Sequence, residues 1–332
     1  MKQLFLTLFC LLFLSACGTK RQYFEPKHID GELNSNGSLK ASIVDWNLMS
    51  AKLNNNEAIL KNGSIINNFK LDKNYILLSY QDDEFIEADN NGNLKIYDNS
   101  HNEIYSYKFD AAVLSLALNG DDLALVLANN SIVLANRSLG IKFSQTLTPA
   151  PAQDSRVASP IFLDNIIIYP TLDGKIMVLS RNTFEIVKDV VISAENFFNN
   201  VIHLSVNGDK MIAATAKKII VVSPARTLYL DADIKDIALN DNAIFILEKD
   251  GNVIKTDYNL RKITEKKFDF AIFTKVGINN NHLFIFEKTG YLIKSDLDFN
   301  NIQIFQFSNA VDKISFMGND KFYFGNQLLD LQ

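Results

Sequence analysis

The sequence predicts an all-β fold, a β-propeller of four-stranded blades, on three observations. A hairpin-shaped unit recurs along the chain. Within each unit the apolar character falls from the first strand to the last. No stretch of useful length carries a helical apolar period.

The repeat is plainest in two segments. Ala243 to Asp257 reads AIFILE, KDG, NVIKTD, and His282 to Asp296 reads HLFIFE, KTG, YLIKSD, 39 residues further on. The form returns at 84–98, 123–136 and 166–180, without glycine at 211–223, and more weakly at 58–66 and 321–331. Val, Ile, Phe and Tyr suit a pleated surface, and Asn-Gly or Asp-Gly supplies the positive φ of a tight hairpin. The turns are expected near Gly63, Gly92, Asn130, Gly174, Lys218, Gly251, Gly290 and Asn326. Their mean spacing of about 38 residues is a length typical of four-stranded repeats.

Each strand of the unit has its own signature. An apolar stretch leads, as in Val113 to Leu118 and Ile234 to Leu239. The next strand is apolar on both faces, as in Ile244-Phe245-Ile246-Leu247, and the third alternates from Val253 to Asp257. The fourth, from Arg261 to Lys267, is mostly charged. A sheet running from doubly buried to solvated is a propeller blade. The chain holds eight such units, with seven as the alternative count. The last hairpin reaches the C-terminus without a fourth strand, and an N-terminal strand near Leu39 to Val44 is expected to supply it and close the ring.

The N-terminus carries a different signal. Met1-Lys2 is followed by an apolar run from Leu4 to Leu14, about 11 residues and too short to span a bilayer as a helix. Leu14-Ser15-Ala16-Cys17 then resembles the lipobox of bacterial lipoproteins. That resemblance implies cleavage before Cys17 and acylation of Cys17, and Gly18 after it implies the outer membrane in a Gram-negative cell. Residues 1–16 are thus expected as a signal peptide, 17–40 as the lipidated cysteine and a polar tether, and 41–332 as the propeller.

Loss of residues 1–16 removes Lys2 alone among the charged residues and takes the formal net charge from −5 to −6. An acidic chain has no electrostatic reason to bind nucleic acid. Cys10 leaves with the signal, so a disulfide fold is not expected.

The segment IIIYPTLDGKIMVLSRNTFEIV (166–187) resembles the repeat of pyrroloquinoline-quinone-type propellers. Arg156-Val157-Ala158-Ser159-Pro160, followed by Ile161-Phe162, is similar to an inner blade strand of that family. A lipobox followed by about eight such repeats resembles the BamB-like lipoproteins of the outer-membrane β-barrel assembly machinery. Two departures stand out: Asn182-Thr183-Phe184 lacks the usual Thr-Gly turn, and Trp46 is the only tryptophan. Phe109, Phe268 and Phe307 are the expected substitutes for the family's inter-blade tryptophans.

No catalytic constellation is visible, and no enzyme activity, cofactor or metal site is expected. A quinoprotein dehydrogenase needs a tryptophan floor and an acidic calcium site, which this chain does not offer. His28, His101, His203 and His282 lack ligand spacing, and Asp82-Asp83-Glu84 reads as a solvated turn. Two loops stand out for binding. Thr148 to Arg156 is long and stiffened by Pro149 and Pro151, and the resemblance implies a partner-binding arginine at Arg156. Ser193 to Asn200 carries a Phe pair in a polar setting. Asp154, Arg156, Phe197 and Phe198 are the candidate partner-binding residues, and Cys17 is the lipidation site.

The expected function is that of a non-enzymatic scaffold at the periplasmic face of the outer membrane. It would assist outer-membrane protein assembly by binding the barrel insertase or another envelope protein, with the membrane reached through the lipid anchor. The alternatives are an envelope interaction propeller unrelated to barrel assembly and a degenerate quinoprotein-type ligand-binding protein.

Overall fold

The structure is a computed structural model and describes residues 22–66, 69–152, 154–308, 310–311 and 314–332. The expected signal peptide, Cys17 and the start of the expected tether lie outside the described residues. Every regular element among the described residues is a strand, and the strands form eight sheets, one per blade. Blade 7 shows the pattern: Phe273–Asn279, His282–Glu287, Tyr291–Asp296 and Ile302–Phe307 run antiparallel from the channel outward. The first strands of blades 1 to 8 begin at Ile43, Tyr75, Val113, Ile161, His203, Ile234, Phe273 and Ser315.

Period-two alternation explains why the second strand of a blade is apolar throughout. In blade 6, Ile244 and Ile246 face blade 5, while Phe245 and Leu247 face blade 7. In blade 3, Leu123 and Leu125 face blade 2, while Ala124 and Val126 face blade 4. One apolar cluster fills each of the eight blade interfaces. Each fully buried side chain of this kind contributes about 1.5–3 kcal/mol. Phe286 of blade 7 stacks on Phe322 of blade 8 with ring centroids 3.6 Å apart.

A backbone hydrogen bond recurs in every blade. A residue at the end of the fourth strand or shortly after it donates its N–H to the carbonyl of the turn between strands two and three. The donors are Leu39, Leu71, Phe109, Leu147, Ile192, Ala232, Phe268 and Phe307, at 2.7–3.1 Å. The expected tryptophan substitutes Phe109, Phe268 and Phe307 occupy this position and are buried. This bond fixes the outer strand to the turn and passes the chain into the next blade.

Two boundaries shift from the sequence reading. The turn that matches Gly92 and Gly251 in blade 1 is not at Gly63 but at Asn56 (φ 64), whose carbonyl accepts from Leu71. Gly63 lies in the outer hairpin, between Ala58–Leu60 and Ile65–Ile66. The Asn-Gly signal was real, but asparagine alone makes the inner turn. The closing strand is Gly37–Ser38, which pairs antiparallel with Gln327 and Leu328, a little before the expected 39–44. Ile43–Trp46 is instead the first strand of blade 1.

The described part of the expected tether lies against the propeller. Gly31–Leu33 adds in parallel to the outer strand of blade 7. Phe24 is buried against Phe268 and Tyr291. Isolated apolar residues at this spacing carry no period, so sequence gives no sign of the packing.

A chain beginning at residue 42 loses the fourth strand of blade 8, whereas one beginning at residue 34 loses only the added arm. The first truncation is expected to melt cooperatively at a lower temperature, with a loss of roughly 3 kcal/mol or more from Leu39 burial and the open edge. The second should lose less. Thermal unfolding monitored by circular dichroism checks this, and equal midpoints would contradict it.

Candidate functional site

The candidate site is built where the chain departs from its repeat. The connectors after blade 3 (148–156) and blade 4 (193–200) are long, and the structure brings them together. Phe198 N–H donates to the Ala152 carbonyl at 3.1 Å. Asp154 N–H donates to Asn200 Oδ1 at 2.6 Å, and Asn200 Nδ2 donates to the Arg156 carbonyl at 2.6 Å. Asn199 Nδ2 donates to the carbonyls of Asp173 and Ser193 at 3.0 and 2.9 Å. Both asparagines are buried. They satisfy backbone groups that irregular loops would otherwise bury unpaired. Gly174 is required here: its φ is +83°, and a Cβ would lie 2.3 Å from Asn199 Nδ2.

The asparagine knot holds Phe197 and Phe198 outward, at 61% and 54% exposed. Phe198 has φ +54°, a conformation that costs a bulky residue energy and that the surrounding bonds impose. Phe197 overlooks a cleft of about 610 Å³ between the two loops, floored by Pro149, Pro151 and Val191. Phe198 stands instead at the channel mouth, near Trp46 and Arg156.

Arg156 is not at the loop tip. It is 8% exposed and lines the channel. Its Nε and Nη2 bind the two Asp154 oxygens at 2.8 and 2.6 Å, and its Nη1 donates to the Lys235 carbonyl of blade 6. Burial alone would raise the Asp154 carboxyl, but Arg156 holds it below its ordinary value. The pair therefore ties the first loop to the channel wall. Asp154 and Arg156 support the surface from beneath, while Phe197 and Phe198 form its exposed part.

The channel holds residues that sequence reasoning missed. Five first strands carry a bulge, followed by Asp45, Ser79, Ser115, Asp236 and Lys275, and of these Asp236 and Lys275 line the channel cavities. Ser115 Oγ donates to the Ala158 carbonyl of the next blade at 2.7 Å. Asp236 Oδ2 accepts from Val276 N–H at 3.1 Å. Lys275 Nζ lies over the Trp46 ring, 3.4 Å from its centroid. Burial, with help from nearby cations and against Asp236, pushes the Lys275 amine down to about 7. Burial likewise pushes His203 down to about 4, so it is neutral at pH 7. The available signal was a charge inside an otherwise apolar stretch, as in Ile234-Lys235-Asp236-Ile237.

Among the described residues no three His, Cys, Asp or Glu side chains group as metal ligands. Asp82 and Asp83 form a turn with positive φ, and Glu84 pairs with Arg137. No helix among the described residues is long and apolar enough to cross a membrane.

An eight-bladed ring with a closed channel and knotted rim loops defines the class of protein, a β-propeller. No family model matches the chain. Among solved structures, BamB from Moraxella catarrhalis superposes with a TM-score of 0.66 at 13% identity, over 86% of this chain and 95% of that one. The C-terminal WD40 domain of Sif2 gives 0.66 at 14% identity, over 91% and 99%, so this likeness is one of fold. The computationally designed protein Ika8 gives 0.62 at 14% identity, over 90% and 98%. Among curated proteins, the plasminogen-binding protein PgbB of Helicobacter pylori is similar. In one strain it is 35% identical over 161 residues, 48% of this chain and 30% of the relative. In a second strain it is 34% identical over 166 residues, 49% and 31%. The chain thus matches less than a third of the length of these relatives.

Replacing Asp154 with alanine leaves Arg156 buried without its counter-ion. Urea unfolding is expected to show a loss of about 3–5 kcal/mol. The Asp154 carboxyl is depressed in the folded state. Its contribution is therefore present above the unfolded value of about 3.9 and is lost as pH falls through the folded value. Wild-type and variant stabilities should converge toward pH 2, and a constant gap from pH 7 to pH 2 would contradict the assignment.

Proposed function

We propose that this chain is a lipid-anchored, non-enzymatic propeller that binds protein partners at the bacterial cell envelope. The observation that carries the reading is the asparagine-knotted loop pair, which presents two exposed phenylalanines, Phe197 over a cleft and Phe198 at the channel mouth. Clustered exposed aromatics on a rigid base are the usual anchors of a protein interface. The names of the curated relatives support protein binding. The sequence resemblance to BamB-like lipoproteins and the fold support the finer reading, a scaffold for outer-membrane protein assembly that binds the barrel insertase. A second reading, an envelope protein that binds other proteins, is favoured by the similarity to plasminogen-binding relatives.

The anchor in this reading is Cys17, at the periplasmic face of the outer membrane. The first buried residue among the described ones is Phe24, seven positions later. At roughly 3.3 Å per residue, seven residues span at most about 25 Å however they are arranged, so a lipid on Cys17 would keep the flank of blades 6 and 7 close to the bilayer.

Cys17→Ser is expected to abolish labelling by a palmitate analogue and release the protein from membranes. Persistent labelling would contradict the anchor.

Replacing both Phe197 and Phe198 with alanine is expected to weaken capture of the partner about thirtyfold, corresponding to about 2 kcal/mol. The melting temperature should not fall, since both rings are exposed. Crosslinking in intact cells then separates the readings. Recovery of the barrel insertase supports the assembly role, and recovery of other envelope or extracellular proteins alone supports the second. Unchanged binding by the double variant would contradict the loop surface under both.

A further inference from the structure

We propose that the central channel is a binding site for an acidic peptide segment, whose carboxylates seat on Lys235 and Lys275 beside Trp46. This goes beyond the loop surface and does not rest on the assembly reading.

Charge is the first argument. The chain is acidic overall, with a formal net charge of −5. Yet Lys61, Arg156, Lys235 and Lys275 all line the channel cavities. Among the described residues only two carboxylates oppose them there, Asp154 and Asp236. Asp154 is engaged by Arg156 through three hydrogen bonds, two of them from the guanidinium. One oxygen of Asp236 is held by the Val276 N–H. A channel with low-dielectric walls focuses such an excess of one sign and concentrates the opposite charge.

The second argument is that the side-chain amines of two of these cations make neither an ion pair nor a hydrogen bond. Lys61 Nζ donates to the Met317 carbonyl at 2.7 Å. The side-chain amines of Lys235 and Lys275 form no ion pair or hydrogen bond among the described residues, and the Lys275 amine lies against the Trp46 ring. A cation held away from bulk water beside another cation gains most from an incoming carboxylate.

Shape and rim favour a peptide over a small anion. Two cavities of about 550 and 530 Å³ meet at Arg156, Asp236 and Lys275. Their joint extent exceeds what an inorganic anion fills, and Phe198, Trp46 and Ile272 make one mouth partly apolar. Lys288 adds a cation at that mouth.

The charged groups facing Lys275 are those already named. Lys61, Arg156 and Lys235 push its proton off, and Asp236 retains it. His203 is neutral in the working range. Asp45, the other carboxylate on an inner strand, acts on Lys52. As pH rises from 6 to 9, Lys275 loses its charge and acidic-peptide binding should weaken.

Trp46 is the only tryptophan of the chain, so its fluorescence reports on this channel alone. The purified chain is titrated with hexaglutamate at low salt and pH 6. A saturable change in Trp46 emission is expected, weaker at pH 9. Lys275→Met and Lys235→Gln should each weaken binding at least tenfold while melting as the parent does. Citrate should bind at least tenfold more weakly than hexaglutamate. If Lys275→Met does not fold, Lys235→Gln and the pH series decide. The absence of a saturable change, or equal affinity in the folded variants, overturns the proposal. Citrate binding as tight as the peptide overturns the peptide occupant.

Discussion

The whole structure depends on ring closure by a strand taken from the other end of the chain. Gly37–Ser38 completes blade 8 against Gln327 and Leu328. Asn36 locks the junction, donating its N–H to the Leu328 carbonyl at 2.9 Å and accepting the Asp330 N–H at 2.8 Å. Leu39 then makes the same turn bond as its seven counterparts. Without this strand, blade 8 presents an unpaired edge, and the interface that joins Phe316 and Tyr323 to Leu53 and Ile59 loses its support. The channel depends on closure as well. Trp46 of blade 1 reaches Lys275 of blade 7, and Lys61 of blade 1 holds the carbonyl of Met317 in blade 8.

The candidate functional features lie where the repeat is broken, against a regular ring that holds them in place. The eight turn bonds and eight apolar interfaces hold the frame with little help from special residues. Against it, the connectors after blades 3 and 4 lengthen, bury two asparagines and force Phe198 to φ +54°. The inner strands bulge and place charges in the channel. Arg156 joins the two regions, since its backbone carbonyl holds Asn200 and its side chain reaches the channel wall.

Much of the fold was legible because a hairpin needs two local signals, a period of two and a residue that tolerates positive φ. The reading failed at Gly63 for the same reason it worked elsewhere. An Asn-Gly turn marks a hairpin without saying which hairpin of the blade it is, and Asn56 makes the inner turn of blade 1 without glycine. The two candidate loops stood out separately by their prolines and paired phenylalanines. Their contact was not legible, because it rests on Asn200 bonding to residues 44 and 46 positions away. The channel charges of blades 6 and 7 were hidden because bulges decide which side of an inner strand faces the axis, and a bulge has no fixed sequence mark.

Hydrogen exchange of the intact chain, read by mass spectrometry, tests closure most directly. The account predicts that the amides of 37–39 and of Gln327–Asp330 are protected as strongly as those of blade 3, and open with them as one cooperative unit. Fast, independent exchange of 37–39 and blade 8, with blades 2 to 7 still protected, would show that the ring stands without its closing strand and would contradict the account.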